Sequence, residues 1–478
     1  MSEVRMPMME AQVARAATVP RGGSPQRDAV TCLAEARVRF CLLRDDWAAL
    51  DSARDVDLLV HPRDREVAFA ALARAGFLPK REPRLRHKWV FLRWSGERFH
   101  VIDLHTAFVQ GGIEYMSARG ALARADRSGP VPRLAAEDQF LHLLLHNVLG
   151  KGELQAKHLG WMRALRDAGL DTQRLDDQAK LFGLRALWRD ALAGFEALAA
   201  DPVAVRRLRR RVRRILLRRP ANRIGDWRYR HGGRLRLRRR PVVLALLGPD
   251  GSGKTSFADA LQATLHDSPL RPGRVYMGSW GHDLLPMRQA RRLVPPQRSY
   301  ARLLLRQCGL RVQLSPEETA LLSAAPPPVP VLAASAVRYG IKNALFYAAL
   351  VSELGFRYCR HIAFSRRPLV LTDRYLYDLE FRQGKVPFAH GEGMRRFVYR
   401  FFPAPDGILY LTTPYDLVEK RKPQLGREQF ETMDHVFRAV LRQYHPLEVP
   451  SEGSPETMVR AFLTQHWEQI LERCNSRA

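Results

Sequence analysis

Five cysteines in 478 residues are too few and too scattered for a disulfide framework. Cys32, Cys41, Cys308, Cys359 and Cys474 include no pair at metal-ligand spacing, so a zinc-ribbon scaffold is excluded and reduced, packed thiols are expected. Lysine is scarce as well: ten of the 78 basic residues, a skew that a GC-rich genome produces without functional cause. The N-terminus carries Glu3, Arg5, Glu10 and Arg15 in place of the apolar run of a signal peptide. The most apolar long stretch, 341–359, contains Lys342 and Glu353, which suits a buried helix and not a membrane span. No internal repeat is present. These absences lead to the expectation of a cytoplasmic protein.

What the sequence does have is length and unevenly placed charge. A chain of 478 residues exceeds what one hydrophobic core usually serves, so two domains are expected. The net charge is +29, and residues 206–240 hold 17 arginines against one acid, Asp226, which is 16 of those 29 charges. Residues 1–27 read as a mobile tail, 28–204 as one domain, 205–240 as an Arg-rich linker and 241–474 as a second domain. In the first domain, β-prone runs at 38–43 and 56–60 precede an amphipathic helix over 63–75. Segments 89–94 and 99–104 then alternate as a hairpin around Ser95-Gly96, and 135–200 is helical. In the second, 242–247 is apolar without alternation, as a strand buried on both faces must be. Further strand-like runs at 274–278, 369–372 and 407–412 are separated by helical pattern, which argues a doubly wound α/β sheet. Residues 325–330 are a Pro-rich loop.

The strongest chemical signal is Gly248-Pro249-Asp250-Gly251-Ser252-Gly253-Lys254-Thr255, a complete P-loop motif between that buried strand and a helical pattern over 255–265. Gly248, Gly251, Ser252 and Gly253 form a backbone cradle whose N–H groups face one anion. Lys254 places a positive charge on the β- and γ-phosphates, and Thr255 offers its hydroxyl to the bridging Mg²⁺. ATP and Mg²⁺ are therefore the expected cofactors. Asp373-Arg374 closes the strand at 369–372: Asp373 suits the Mg²⁺ shell or the attacking oxygen, and Arg374 suits a second phosphate. Arg421 and Arg427 lie where a helix after the strand 407–412 gives way to a polar loop. They read either as mobile cations closing over the phosphates or as a solvated helix end.

Together these residues resemble the thymidylate kinase family, over roughly 240–474. The likeness rests on Asp250–Thr255, on Asp373-Arg374-Tyr375, and on the order strand, Thr-Pro turn, helix, basic lid and closing helix at 457–471. It implies a P-loop doubly wound parallel sheet with helices on both faces, and an ATP/Mg²⁺-dependent phosphotransferase acting on a nucleotide or other small acceptor. It also implies that Asp250 and Arg374 face that acceptor. The chain departs from the family at Tyr276-Met277-Gly278-Ser279-Trp280-Gly281-His282 and between 288 and 337, so thymidylate itself is not implied.

In the first domain, Asp55 and Asp57 stand two apart on a strand and so share one face, a spacing suited to Mg²⁺. Asp103, in Val101-Ile102-Asp103-Leu104-His105, is a third candidate ligand from a later strand. The order of Asp-Val-Asp strand, helix ending Ala75-Gly76-Phe77, hairpin ending Ile-Asp-Leu-His and helical tail from Leu134 resembles nucleotidyltransferases with a polymerase-β-like core, over about 29–200. It implies an α+β nucleotidyltransferase-like domain with a helical tail. That family's Gly-Ser turn is absent; Leu43-Arg44-Asp45-Asp46-Trp47 stands in its place, which leaves activity open. His142 and His146, one helical turn apart, read as packing.

Aliphatic residues at 205, 208, 212, 215 and 216 put one apolar stripe on an arginine-covered helix. Three readings stay open: a linker packed on one domain, an anionic membrane surface that would make the protein peripheral to the membrane, or a nucleic-acid contact. Two alternatives to a small-acceptor kinase remain. One is a nucleic-acid end-processing kinase and nucleotidyltransferase, and the other is a nucleotide-sensing protein without catalysis.

Overall fold

The computed structural model describes residues 24–44, 47–80, 87–235, 240–249, 251–278, 283–285, 337, 341, 344–345, 348–377, 399–400, 402–421 and 426–477. Asp250, the Pro-rich loop at 325–330 and residues 1–23 of the expected tail lie outside the described residues. The chain divides into two compact units, residues 1–238 with Ala478, and residues 239–477.

In the N-terminal unit, helix α1 (Pro25–Glu35) starts inside the segment expected to be mobile. Ser24 caps it by accepting from the Arg27 N–H, and proline at the first helical position presets the backbone angle. Strands β1 (Phe40–Leu42) and β2 (Asp55–Val60) lead to α2 (Arg65–Arg74), β3 (Leu78–Lys80), β4 (Lys88–Trp94) and β5 (Phe99–His105). These form one five-stranded sheet in the order β1-β2-β5-β4-β3. All neighbours are antiparallel except β2 and β5, which run parallel with Asp57 directly beside Asp103. The core beneath joins Leu33 of α1, Val56, Leu58 and Val60 of β2, and Ala71 and Leu72 of α2.

A small hairpin of β6 (Phe108–Gln110) and β7 (Ile113–Met116) precedes a helical run. It comprises α3 (Ala118–Ala123), α4 (Ala136–His146), α5 (Ala156–Asp167), α6 (Thr172–Lys180), α7 (Arg185–Ala193) and α8 (Phe195–Ala200). The run continues through α9 (Pro202–Leu216) and α10 (Pro220–Leu235), so the segment expected as a linker is two helices of this unit. The cause is the apolar stripe: Val205, Leu208, Val212 and Leu216 are buried in the same core as Phe140, Leu144 and Trp188.

In the C-terminal unit, β8 (Val242–Leu247) is followed by α11 (Lys254–Thr264), β9 (Gly273–Tyr276), β10 (Leu369–Asp373) and β11 (Gly407–Thr412). Then come α12 (Tyr415–Arg421), α13 (Arg427–Leu441), β12 (Leu447–Pro450) and α14 (Pro455–Arg477). The sheet has five strands, all parallel, in the order β12-β11-β8-β10-β9. Every β8 side chain is fully buried, and each such aliphatic side chain contributes roughly 1.5–3 kcal/mol. Val243, Ala245 and Leu247 face a core with Leu350, Leu354 and Ile362, and alternation turns Val242, Leu244 and Leu246 to the other face. α11 and α14 are joined there through Phe257 and Phe462, whose rings lie 5.7 Å apart. Among the described residues no helix is long and apolar enough to cross a membrane. Of the cysteines expected to be packed, Cys32, Cys41 and Cys474 are buried, whereas Cys359 is exposed.

Candidate functional site

The central strand β8 delivers the chain into the glycine-rich turn that precedes α11. Gly248, Gly251 and Gly253 hold φ of 149°, 89° and 86°, in the region that side chains disfavour. Space is restricted too: a Cβ at Gly248 would lie 2.9 Å from Ser252 Oγ and 3.1 Å from the Leu411 carbonyl oxygen. The N-cap of α11 is Gly253, with no side-chain cap, so the first-turn N–H groups are available to an anion at the loop. Lys254 is largely buried and lies over the turn, its Nζ donating to the carbonyls of Gly248 at 2.9 Å and Pro249 at 2.7 Å. Ser252 Oγ is fully buried and has no hydrogen-bond partner among the described residues, which a bound oxyanion would supply. Thr255 is exposed on the first turn of the helix.

Three further expected residues converge here. Asp373 ends β10, beside Leu246 of β8, and its carboxylate is 3.6 Å from the Arg274 guanidinium. Arg374 follows at φ 66°, a conformation uncommon outside glycine, with its N–H donating to the Leu246 carbonyl at 3.1 Å. Arg421, at the end of α12, brings Nη1 within 3.5 Å of the Gly251 carbonyl and would lie 3.3 Å from a Cβ at Gly253. Arg427 is not brought in: it pairs with Asp416 at 2.6 Å and sits over the Tyr415 ring at 4.8 Å.

Sequence reasoning missed the residues that shape the far side of this site. Glu353 is fully buried and accepts from the backbone N–H groups of Asp283, Leu284 and Leu285 at 2.7–2.9 Å. It also pairs with Arg357 at 2.7 Å, and Arg357 donates to the carbonyls of Tyr276 at 3.2 Å and Gly278 at 2.9 Å. Burial pushes the Glu353 carboxyl up, but those N–H groups and Arg357 outweigh it and hold it below the usual range. The pair thereby anchors both ends of the departure segment that begins at Tyr276. Arg374 crosses Gly278, where an added Cβ would stand 2.8 Å from its Cδ. A glutamate and an arginine four apart inside an apolar helix were the available signal.

In the N-terminal unit the parallel register of β2 and β5 makes the site. Ligand atoms of Asp57, Asp103 and His105 lie within 4.8 Å of one another. Asp57 is buried, paired with Arg44, and accepts from His105 Nε2 at 3.3 Å; Asp103 pairs with Lys88. Asp55, exposed at the start of β2, is outside this convergent group. His105 could have been found from the same two-residue spacing on its strand, from Asp103. Burial, aided by Lys88 and Arg44 and opposed by Asp103, pushes the His105 imidazole down to about 3, so it is a neutral donor at neutral pH. Arg44, from the segment that stands where a Gly-Ser turn was expected, also donates to His158 Nε2 at 3.2 Å. Burial, then Arg44 and two lysines, brings His158 down to about 4, which keeps it an acceptor. The expected packing role suits His142, which is buried, 3.0 Å from the Tyr115 hydroxyl, stacked on the Tyr115 ring and tilted against Phe108 at 5.1 Å.

Residues 48–198 match the family described as "Uncharacterised nucleotidyltransferase". A solved structure of thymidylate kinase from Candida albicans aligns with 49% of this chain and 93% of its own, at 17% identity and a TM-score of 0.29. The chain matches no curated protein.

Proposed function

We propose that the C-terminal unit is an ATP- and Mg²⁺-dependent phosphotransferase acting on a nucleotide or another small acceptor. The observation that carries this is the loop itself, with three glycines at positive φ, Lys254 lying over it and a buried Ser252 hydroxyl, unpartnered among the described residues, beside an uncapped helix start. The donor set fits a magnesium–triphosphate: backbone N–H and a hydroxyl for phosphate oxygens, and Thr255 and Asp373 for the metal. Mg²⁺ there would neutralise charge on the β- and γ-phosphates. Lys254 exchanges its loop carbonyls for phosphate oxygens. Arg421 supplies positive charge over the loop as the phosphoryl group moves, and Asp373 orients the attacking oxygen. Arg374 would face the acceptor, as the family resemblance also implies for Asp250.

The N-terminal unit is a nucleotidyltransferase-like domain in which Asp57 and Asp103, with Asp55 at their flank, would hold Mg²⁺. Two adjacent carboxylates suit that hard cation, which would offset the negative charge of a triphosphate in nucleotidyl transfer. With the carboxylates engaged by the metal, Arg44 and Lys88 would be free to pair with phosphate oxygens. This reading is supported by the family match over 48–198.

The test is incubation with γ-labelled ATP and Mg²⁺ against nucleoside monophosphates, sugars and oligonucleotides. Label should move to a small acceptor. Transfer only to oligonucleotide 5′ ends would replace this reading with end-processing, and ATP binding without any transfer would replace it with nucleotide sensing.

A further inference from the structure

The arginine-rich segment forms a fixed surface. α9 is anchored by its buried stripe, and the turn into α10 is pinned by Asn222. Its side-chain amide accepts from the Glu114 N–H at 2.9 Å and donates to the carbonyls of Glu114 at 2.9 Å and Leu216 at 3.0 Å. α10 then crosses the β6–β7 hairpin with Gly225 against Gly112, an approach with no room for a side chain on either. Asp226, the one acid of the segment, is paired with Arg213 and Arg230.

What this leaves outward is one-signed. Beyond Val203, every exposed residue of α9 is an arginine: Arg206, Arg207, Arg210, Arg211 and Arg214. At helical rise, positions 206, 210 and 214 set a guanidinium about every 6 Å. Arg218 extends the row past the end of the helix. α10 meets α9 through the Arg213–Asp226 pair, and next to Asp226 the Trp227 ring is 55% exposed and stacked on His231 at 5.7 Å with ring planes 30° apart, whereas Tyr229, two residues on, turns to the other side of the helix against Gly111.

We infer that α9 and α10 form a docking surface for single-stranded nucleic acid, with the α9 arginines following successive phosphates and Trp227 stacking a base. A row of guanidinium groups with an exposed aromatic ring near it suits such strands, the charges neutralising phosphates and the ring stacking a base. An anionic bilayer fits less well: a helix lying in the interface buries its apolar row among the lipids, and the apolar row of α9 is already inside the protein core. The inference is independent of the acceptor used by the C-terminal unit.

The test uses the full chain and fluorescein-labelled oligothymidylate, with anisotropy followed across a salt series. In the variant Arg206→Gln, Arg210→Gln, Arg214→Gln, Arg218→Gln, binding should weaken at least tenfold. Its log–log salt slope should become shallower by about 0.7 for each phosphate that is no longer neutralised. Trp227→Ala should weaken binding by about tenfold with the slope unchanged. A control neutralising Arg63, Arg74, Arg119 and Arg460, all exposed elsewhere, should stay within about twofold if the surface is specific. Equal losses in the control, or no oligonucleotide binding at all, overturn the inference. Sedimentation with phosphatidylserine–phosphatidylcholine vesicles that the quadruple variant abolishes, while oligonucleotide binding persists, also overturns it. Circular dichroism of each variant separates these outcomes from unfolding.

Discussion

The two units build their polar sites by opposite routes. In the C-terminal unit an uninterrupted eight-residue motif makes most of the site, because an all-parallel sheet sends its central strand straight into the turn. In the N-terminal unit no local motif suffices: Asp57 and Asp103 meet only because β2 and β5 run parallel in a fixed register. The first site is a backbone cradle sensitive to any added side chain. The second is a set of side chains held by cations, so it is sensitive to charge.

The largest expected effects separate these designs. Asp57→Asn or Asp103→Asn should lower divalent-metal binding and any nucleotidyl transfer by on the order of a hundredfold or more, whereas Asp55→Asn should change either by no more than about threefold. Isothermal titration with Mn²⁺ checks this, and an Asp55 effect as large as that of Asp57 would restore the pair read from the sequence. Next comes Glu353→Gln, which leaves Arg357 without its partner in the interior and should cost about 3 kcal/mol of C-terminal stability by denaturant titration. Donor affinity should then fall less than acceptor affinity.

Acid should act on the N-terminal unit first. Burial lowers His87, His100, His146 and His158 to about 4 and His105 to about 3, all in residues 1–238. Below their ordinary value of 6.5 the unfolded chain takes up protons that the fold refuses. Stability from these groups is therefore complete above pH 6.5 and falls as pH drops through the window down to about 4 and 3. Hydrogen exchange at pH 7 and pH 5 should show the N-terminal peptides opening first; opening of the C-terminal sheet first would contradict it. The smallest contrast is between two arginines. Arg421→Ala should slow phosphoryl transfer about tenfold or more, and Arg427→Ala by no more than about threefold, because Arg427 is engaged with Asp416 and Tyr415.

Much of this was legible in advance, for identifiable reasons. Strands β8, β10 and β11 were visible because fully buried parallel strands are apolar without interruption. Gly248 through Thr255 was visible because the geometry is local. The short strand Leu447–Pro450, half exposed and containing proline, gave no such pattern. The helix at 202–216 was legible from its aliphatic spacing, and its burial selects the packed reading among the three left open; the helix at 220–235, with no such stripe, was hidden behind its arginines. Arg44 and Lys88 act through partners 13 or more residues away, as Arg44 to Asp57 and Lys88 to Asp103 show, and Glu353 holds backbone groups about 70 residues away besides its i+4 partner Arg357; no periodicity encodes the distant contacts.

The proposed function divides the labour between the units: the loop at 248–255 would serve phosphoryl transfer from ATP, independently of the carboxylate pair at Asp57 and Asp103. The sharpest check is γ-phosphoryl transfer measured in Lys254→Ala and Asp57→Asn proteins side by side. Loss of at least a hundredfold is expected in the first, and change within about twofold in the second. Undiminished transfer in Lys254→Ala, with its fold intact, would contradict it.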